Sequence, residues 1–207
     1  MPVEDDIAEF KTAISADICS ADIFEQFVAP EICRAPIDFD QLALRTRIGR
    51  RWQVPVEDVW IVGSAKLGFT LVNKSKAGVD RPAFSPFSLD SDIDVAVISN
   101  ELFEHIWKLC FEFWHRYRYQ NAGHFWPDGR AFRDYNFRGW MRPDFLPNDA
   151  DVSYRKRWFE YFRRLMSDRA AGDYRITGGL FRNREALMQY QTVAIEQARA
   201  QIRISGA

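Results

Sequence analysis

Two carboxylates separated by one residue are the strongest chemical signal in the sequence. Asp92 and Asp94 lie in SDIDVAVIS, where polar and apolar residues alternate before an apolar run. This pattern predicts a β-strand, and both carboxylates should then project from one face, about 6 to 7 Å apart along the strand. Two carboxylates so close repel each other unless cations lie between them. Hard oxygen ligands of this kind suit Mg²⁺ or Mn²⁺, with substrate phosphates supplying further ligands.

A short apolar run that ends in Gly63-Ser64 offers a phosphate-binding turn. The letters VWIV at 59–62 predict a strand, and the following AKLGFTLV can begin a helix. Gly63 would let the backbone approach a phosphate, the amides of the turn could donate to an anion, and Ser64 adds a hydroxyl. Lys66 adds positive charge nearby. A lysine on the first turn of a helix can equally be a solvated side chain, and both interpretations of Lys66 stay open.

The order of these features resembles the DNA polymerase β-like nucleotidyltransferase superfamily. Its signature is an apolar strand, Gly-Ser or Gly-Gly, and then a D-x-D strand, which here correspond to WIVGSAKLGF and SDIDVAVI within residues 59–98. The resemblance implies that Asp92 and Asp94 are catalytic and ligate Mg²⁺ or Mn²⁺, and that Gly63 and Ser64 hold the β- and γ-phosphates of a nucleoside triphosphate. A nucleoside monophosphate would then move to an acceptor as pyrophosphate leaves.

The acceptor stays open at this point. Relatives in the superfamily modify antibiotics, proteins, tRNA ends or other nucleotides, so RNA, protein, a nucleotide and a small molecule are all possible acceptors. Small bacterial members often serve in toxin-antitoxin or antiphage systems, which is the biological setting that the resemblance suggests.

Two features depart from the superfamily pattern. The segment between Ser64 and Asp92 is longer than usual, and residues 73–89, which mix Pro, Gly, Ser and Lys, are expected to form a surface loop or a small insertion. Lys74 and Lys76 within it are interpreted as solvated loop residues.

The second departure concerns a third carboxylate, which many members supply from a later strand. The best later strand, DYRITGGLF at 173–181, has Arg175 and Thr177 where that carboxylate is expected, and neither Asp173 nor Asp144 is a convincing substitute. The alternative hypothesis is therefore a catalytically degenerate nucleotide- or RNA-binding regulatory protein with the same fold.

The elements that must position these residues are helices around a small sheet. Residues 4–29 predict one or two amphipathic helices, and a further helix is expected from Asp38 as N-cap to the residues before VPVED. Additional helices are predicted from Asn100-Glu101, over 152–167 and over 183–202, whereas 120–150 is expected to be irregular. The helix predicted from Asp38 carries several arginines that should form a solvated face, namely Arg45, Arg47, Arg50 and Arg51.

We therefore expect an α+β fold with the small mixed sheet of the polymerase β-like core flanked by helices. One domain over 1–207 is predicted. Its parts are an N-terminal helical part at about 1–55, a motif core at about 56–100 and an aromatic, Arg-rich second half at 101–207.

The segment 116–142 interleaves arginines with aromatic residues. Such a mixture could grip nucleic acid through phosphate contacts and base stacking. The interpretation that we favour is a folded subdomain held by Arg-aromatic packing and Arg-Asp pairs, which would involve Asp128, Asp134 and Asp144. The three histidines, His105, His115 and His124, lack metal-ligand spacing and are expected to be structural or surface residues.

Composition excludes several classes of protein. The 28 Lys and Arg residues balance 29 Asp and Glu, so no global basic field would attract nucleic acid. The three scattered cysteines, Cys19, Cys33 and Cys110, argue against a disulfide framework. No apolar run is long enough to span a bilayer. These features lead us to expect a cytoplasmic protein with reduced thiols and no membrane partner.

Overall fold

A four-stranded sheet of mixed direction organises the protein. The computed structural model describes residues 3–76, 79–119, 125–149 and 152–205. Side by side in the sheet lie β1 (Val59–Val62), β4 (Asp92–Ile98), β7 (Arg175–Phe181) and β5 (Trp140–Met141). β1 is antiparallel to β4, β4 is parallel to β7, and β7 is antiparallel to β5. β1 and β5 are therefore the edges of this sheet.

Two short strands form a separate sheet inside the 73–89 segment. β2 (Lys74–Lys76) pairs in antiparallel fashion with β3 (Val79–Arg81). The expected loop or insertion thus contains a small hairpin, whose residues 77 and 78 lie outside the described part. A further short strand, β6 (Ala170–Asp173), directly precedes β7.

Eight α-helices are present in the described ranges, so the expected α+β class is confirmed. They are α1 (Val3–Ser15), α2 (Ser20–Phe27), α3 (Gln41–Trp52), α4 (Gly63–Leu67), α5 (Asn100–Tyr117), α6 (Gly129–Phe137), α7 (Tyr154–Ser167) and α8 (Arg184–Ser205). Single 3₁₀ turns occur at Val56–Asp58 and Pro143–Phe145. No helix in these ranges is both long enough and apolar enough to cross a membrane.

The sheet separates two apolar cores. Ile93, Val95 and Val97 of β4 belong to a core shared with α3, α5 and α7. Ala96 and Ile98 belong to a second core, shared with α1, α2 and α8. Because side chains alternate along a strand, Asp92 and Asp94 lie on the same face of β4 as Ala96 and Ile98. They occupy the N-terminal end of the strand, beyond these apolar residues of the second core.

The start of α3 differs slightly from the prediction. Asp40, rather than Asp38, is the N-cap, and its Oδ1 accepts a hydrogen bond of 2.9 Å from the amide of Ala43. The N-cap of helix α5 is Ser99, one residue before the predicted start at Asn100-Glu101. Ser99 Oγ accepts a hydrogen bond from the Leu102 amide at 3.2 Å. Both caps satisfy an amide that the first helical turn would otherwise leave unpaired.

The prediction of a solvated arginine face on α3 was wrong for Arg45. Its Nε donates to the carbonyl of Val59 at 2.7 Å, and its side chain is only 13% exposed. A second bond reaches the carbonyl of Val56 at 3.1 Å. Arg45 therefore ties α3 to the outer edge of β1. Helical spacing could not show this, since the partner carbonyls belong to another element.

The prediction of an irregular segment at 120–150 was wrong where the chain is described. Helix α6 begins two residues after Pro127, with Asp128 as its N-cap, and the two-residue strand β5 follows Gly139, which has a φ of +71°. Proline is tolerated just before or within the first turn of a helix, so Pro127 precedes a helix rather than breaking one. A strand of two residues is too short for any periodicity to reveal.

Candidate functional site

Strand register determines which side chains meet the two carboxylates. Asp92 lies opposite Arg175, and Asp94 lies between Thr177 of β7 and Val62 of β1. The two carboxylates project from the same face of β4, as the alternation of the sequence predicted. Their neighbours on β7 occupy the positions where a third carboxylate was sought.

Arg175 neutralises Asp92 through two parallel hydrogen bonds. Its Nε donates to Asp92 Oδ1 at 2.7 Å, and a terminal nitrogen donates to Oδ2. The bond to Asp92 raises the pKa of the Arg175 guanidinium, so this arginine is charged at every relevant pH. The arginine side chain is 50% exposed and that of Asp92 is 25% exposed. Solvent can therefore reach the pair, and a polar ligand could compete for either partner.

Asp94 is more deeply enclosed than Asp92. Burial raises the pKa of its carboxyl, and the charge of Asp92 acts in the same direction. The hydrogen bond of 2.6 Å from Thr177 Oγ1 and the charge of Lys74 oppose this shift. Asp94 is thus a carboxylate whose negative charge is incompletely compensated by the protein.

The Gly63 turn lies directly against Asp94. Gly63 has a φ of +68°, and a Cβ built on it would lie 2.7 Å from Asp94 Oδ2. Only glycine combines this backbone conformation with so close an approach. Ser64 is the next residue of α4, is buried, and accepts a hydrogen bond from the Gly68 amide on its carbonyl. The structure therefore brings the predicted turn and the predicted carboxylates together.

Lys66 is not brought to the carboxylates. It is 2% exposed, and its Nζ donates to the carbonyl of Ile32 at 3.0 Å. The titratable groups that influence its pKa are Cys33, Arg45, Arg34 and Glu31. The Lys66 side chain, which extends from α4, therefore lies beside the outer edge of β1, on the side away from β4.

The structure adds neighbours of Asp94 that sequence reasoning missed. Lys74, interpreted as a solvated loop residue, lies in β2 close enough for its charge to lower the pKa of Asp94. Tyr190 of α8 has a pKa raised by burial and by the charge of Asp94. The spacing of neither residue signalled this, because the first reaches the site through a hairpin and the second through helix packing.

Aromatic rings form a wall beside these residues. The rings of Trp140 and Tyr190 are 4.2 Å apart between centroids, and Trp140 stacks on Phe181. A Cβ on Gly179 would lie 2.8 Å from Trp140 Nε1, a buried nitrogen with no hydrogen-bond partner in the structure. The wall therefore presents apolar ring faces, whereas the indole nitrogen of Trp140 is buried against β7.

The donor set at the acidic pair fits a hard divalent cation. Asp92 and Asp94 supply carboxylate oxygens from one strand face, which is the ligand chemistry of Mg²⁺ and Mn²⁺. Where the chain is described, no group of three or more His, Cys, Asp or Glu side chains is arranged to hold a metal ion. Arg175 and Thr177 stand at the positions on β7 where a further acidic ligand would complete such a group.

The arginines and aromatic residues of 116–142 pack largely against one another. Trp126 is buried and donates to the carbonyl of Phe145 at 2.7 Å, and Arg142 pairs with Asp144 while lying over the ring of Phe145. These contacts match the folded-subdomain interpretation. Residues 120–124, which include His124, lie outside the described residues, and nucleic-acid binding by this segment stays a hypothesis.

All three cysteines are free. Cys33 and Cys110 are buried and Cys19 is exposed. The expected absence of a disulfide framework agrees with this arrangement.

Comparisons with known proteins returned nothing: no protein-family model, no curated protein and no solved structure matches this chain.

Proposed function

We propose that this chain is a metal-dependent nucleotidyltransferase with a polymerase β-like core. It would move a nucleoside monophosphate from a nucleoside triphosphate to an acceptor, with release of pyrophosphate. The observation that carries the proposal is the contact between the Gly63 turn and the Asp94 carboxylate, with Asp92 on the same strand face. The Gly63 turn, which would bind the phosphates, therefore lies beside the carboxylates that would bind the accompanying divalent cations.

The local topology supports the fold part of the proposal. An apolar strand enters a Gly-Ser turn and a short helix, and the D-x-D strand pairs with that first strand in antiparallel direction. This is the order of elements that the resemblance implied for residues 59–98.

Each residue of the site would have a defined task. Asp92 and Asp94 would hold Mg²⁺ or Mn²⁺, and amides of the Gly63-Ser64 turn would bind the β- and γ-phosphates. When bound, such cations screen phosphate charge and lower the pKa of an acceptor hydroxyl. Arg175 would exchange Asp92 for a phosphate oxygen of the nucleotide. Lys66 is not included, because its ammonium is bound to Ile32 at the edge of β1.

Pyrophosphate release tests the proposal. The protein would be incubated with each labelled nucleoside triphosphate and Mg²⁺, alone and with RNA, protein or nucleotide acceptors. We expect release with at least one nucleotide and its loss in the double variant Asp92→Ala/Asp94→Ala. Asp90→Ala is the matched control, because Asp90 is an exposed acid two residues before the pair. Release that is equal in the double variant and the wild type would refute the assigned site.

A second candidate function is nucleotide binding without turnover. The observation that favours it is the bidentate bond from Arg175 to Asp92, together with Thr177 opposite Asp94. The guanidinium of Arg175 can neutralise the charge of Asp92 in place of a divalent cation. An arginine is not a Lewis acid, however, and so cannot replace the catalytic role of that cation. In the assay above, saturable nucleotide binding without pyrophosphate from any nucleotide or acceptor would support this regulatory role.

A further inference from the structure

A small polar cavity lies at the outer edge of β1, apart from the acidic pair. Its volume is about 180 Å³, and it is enclosed by the end of α2, the start of α3 and the side chain of Lys66 from α4. Its lining includes Glu31, Arg45, Trp60 and Lys66, and none of Gly63, Ser64, Asp92 or Asp94. Any ligand here would therefore occupy a site separate from the proposed nucleotide site.

The ammonium of Lys66 is the central feature of this cavity. The residue is 2% exposed, yet Nζ donates to a single protein acceptor, the carbonyl of Ile32 at 3.0 Å. An ammonium has three donors, and a buried one is costly without an opposite charge. Among the described residues, no carboxylate lies within ion-pair distance of it. Two donors and most of one positive charge are therefore left for another group.

Arg45 brings a second positive charge to the same cavity. Its guanidinium is held by the carbonyls of Val59 and Val56. Its acidic neighbour Glu31 is 3.9 Å away and 79% exposed, so this ion pair compensates little of the charge. Burial lowers the pKa of the Lys66 ammonium, and the charge of Arg45 lowers it further. The two cations thus repel each other across a space that contains no buried acid; Glu57, the other acid of the lining, is exposed at the rim.

The edge of β1 adds a backbone donor. The bond from Arg45 shows that the carbonyl of Val59 points outward from the sheet. In an antiparallel edge strand, residues two apart direct their N–H and C=O groups to the same side. The amide of Ile61, which lines the cavity, therefore points outward as well. An ammonium, a guanidinium and an amide converge on one small space.

We propose that this cavity binds a phosphate-sized oxyanion, held by Lys66, Arg45 and the Ile61 amide. Sites for nucleotides and drug-sized ligands occupy roughly 300 to 1,000 Å³, so the cavity suits a free anion and not a nucleotide. Inorganic phosphate and a small carboxylate share the required chemistry. The site does not depend on the proposed transferase activity.

Titration of the wild-type protein with inorganic phosphate tests the site. Using ¹⁵N-resolved NMR, we expect saturable shifts of the Ile61 amide and of the Trp60 indole N–H, which donates to the Glu57 carbonyl beside the cavity. A parallel titration with acetate identifies the class of anion by which of the two binds more tightly. If neither anion moves these two signals, the proposal is overturned, and this outcome needs no variant to fold.

Charge-removal variants assign the site to Lys66. In calorimetry, Lys66→Met should weaken phosphate binding about ten-fold or more, since a charge-assisted bond is lost. Lys156→Met is the matched control, because Lys156 is a 77% exposed lysine of α7 that lines neither the cavity nor the acidic pair. Unchanged affinity in Lys66→Met, or an equal loss in Lys156→Met, would overturn the assignment.

Discussion

At the scale of single residues, the acidic pair is balanced by groups of unequal strength. Asp92 has a charged, bidentate partner in Arg175, whereas Asp94 is hydrogen-bonded to the neutral hydroxyl of Thr177 and feels the charges of Lys74 and Arg175 without an ion pair to either. A cation must therefore compete with Arg175 for Asp92. The charge of the buried Asp94 is the one that a bound cation would stabilise most.

Removing Arg175 should tighten divalent-cation binding while weakening nucleotide binding. In Arg175→Gln the guanidinium no longer competes for Asp92, and a solvent-exposed ion pair is worth about 0.2 to 1 kcal/mol, so Mn²⁺ should bind up to about five-fold more tightly. Electron paramagnetic resonance of free Mn²⁺ measures this change. Arg169→Gln, which removes an exposed arginine paired with Asp173 at 3.4 Å, should leave the affinity unchanged. Weaker Mn²⁺ binding in Arg175→Gln would contradict the competition.

The raised pKa of Asp94 predicts how stability depends on pH in EDTA. The folded state keeps the Asp94 proton to a higher pH than the unfolded state, where the pKa is near 3.8. The contribution of Asp94 to the free energy of unfolding is therefore fully present below pH 3.8 and is lost as pH rises through the folded pKa. The difference in Tm between the wild type and Asp94→Asn should follow this course, with the variant gaining relative stability as pH rises.

Thr177→Val gives an independent check on the same group. The hydrogen bond from Thr177 lowers the pKa of Asp94, so its removal should extend the loss of stability to higher pH. A pH profile that is the same in the wild type and in Asp94→Asn would contradict the shift itself.

At the scale of elements, the site depends on how closely β1 and its turn approach β4. The turn that ends β1 leaves no space for a side chain at Gly63, because a Cβ there would lie only 2.7 Å from Asp94 Oδ2. Strand β7 supplies Arg175 and Thr177 by register, and the β2–β3 hairpin brings Lys74. The 73–89 segment thus contributes to the electrostatics of the site.

Gly63→Ala should be more disruptive than the same change at Gly172, a glycine with a similar left-handed φ but space for a Cβ. A left-handed φ costs a non-glycine residue about 1 to 2 kcal/mol, and overpacking adds about 1 to 3 kcal/mol, so we expect a total loss of about 2 to 5 kcal/mol. Chemical denaturation measures it. Gly172→Ala is the matched control, because φ there is +59° but the nearest atom to its Cβ is 3.7 Å away.

A double variant isolates the clash with the carboxylate. Asp94→Ala removes the atom that the new methyl group would meet, so Gly63→Ala should cost less in that background than in the wild type. Equal losses for Gly63→Ala and Gly172→Ala would show that the turn does not abut Asp94.

At the scale of the whole molecule, the two cores on either side of the sheet determine which groups solvent can reach. Cys33 and Cys110 both lie in the core shared with α3 and α5. Burial raises the pKa of the Cys33 thiol to about 11 and that of Cys110 to about 12. Cys19 is exposed and caps α2, with its sulfur accepting from the Asp22 amide.

Thiol reactivity therefore reports on the intact fold. At pH 8, one thiol per chain should react rapidly with a disulfide reagent, and all three should react in guanidinium chloride, because only thiolates attack and the buried thiols remain protonated. Cys19→Ser should abolish the rapid phase while preserving the cap, since serine is a favoured N-cap residue. Two or more rapidly reacting thiols in the folded protein would contradict the described cores.

Several elements of the fold were predictable from local patterns. Alternation identified β4, the apolar run before Gly63-Ser64 identified β1, helical spacing identified α5, and the helix predicted over 152–167 corresponds to α7. These signals are local, because strand and helix periods are properties of neighbouring residues. The short elements α6 and β5 escaped prediction, since nine and two residues beside Pro and Gly carry too little periodicity.

The sequence alone determined that Asp92 and Asp94 share one strand face and that a Gly-Ser turn follows an apolar strand. Only the tertiary structure decided that Arg175 pairs with Asp92, that Gly63 contacts Asp94, and that Lys66 binds the Ile32 carbonyl beside β1. The physical reason is the distance along the chain. The Arg175–Asp92 pair joins residues 83 positions apart. Their contact is set by the register of β4 against β7, a property of the packed sheet that no local pattern contains.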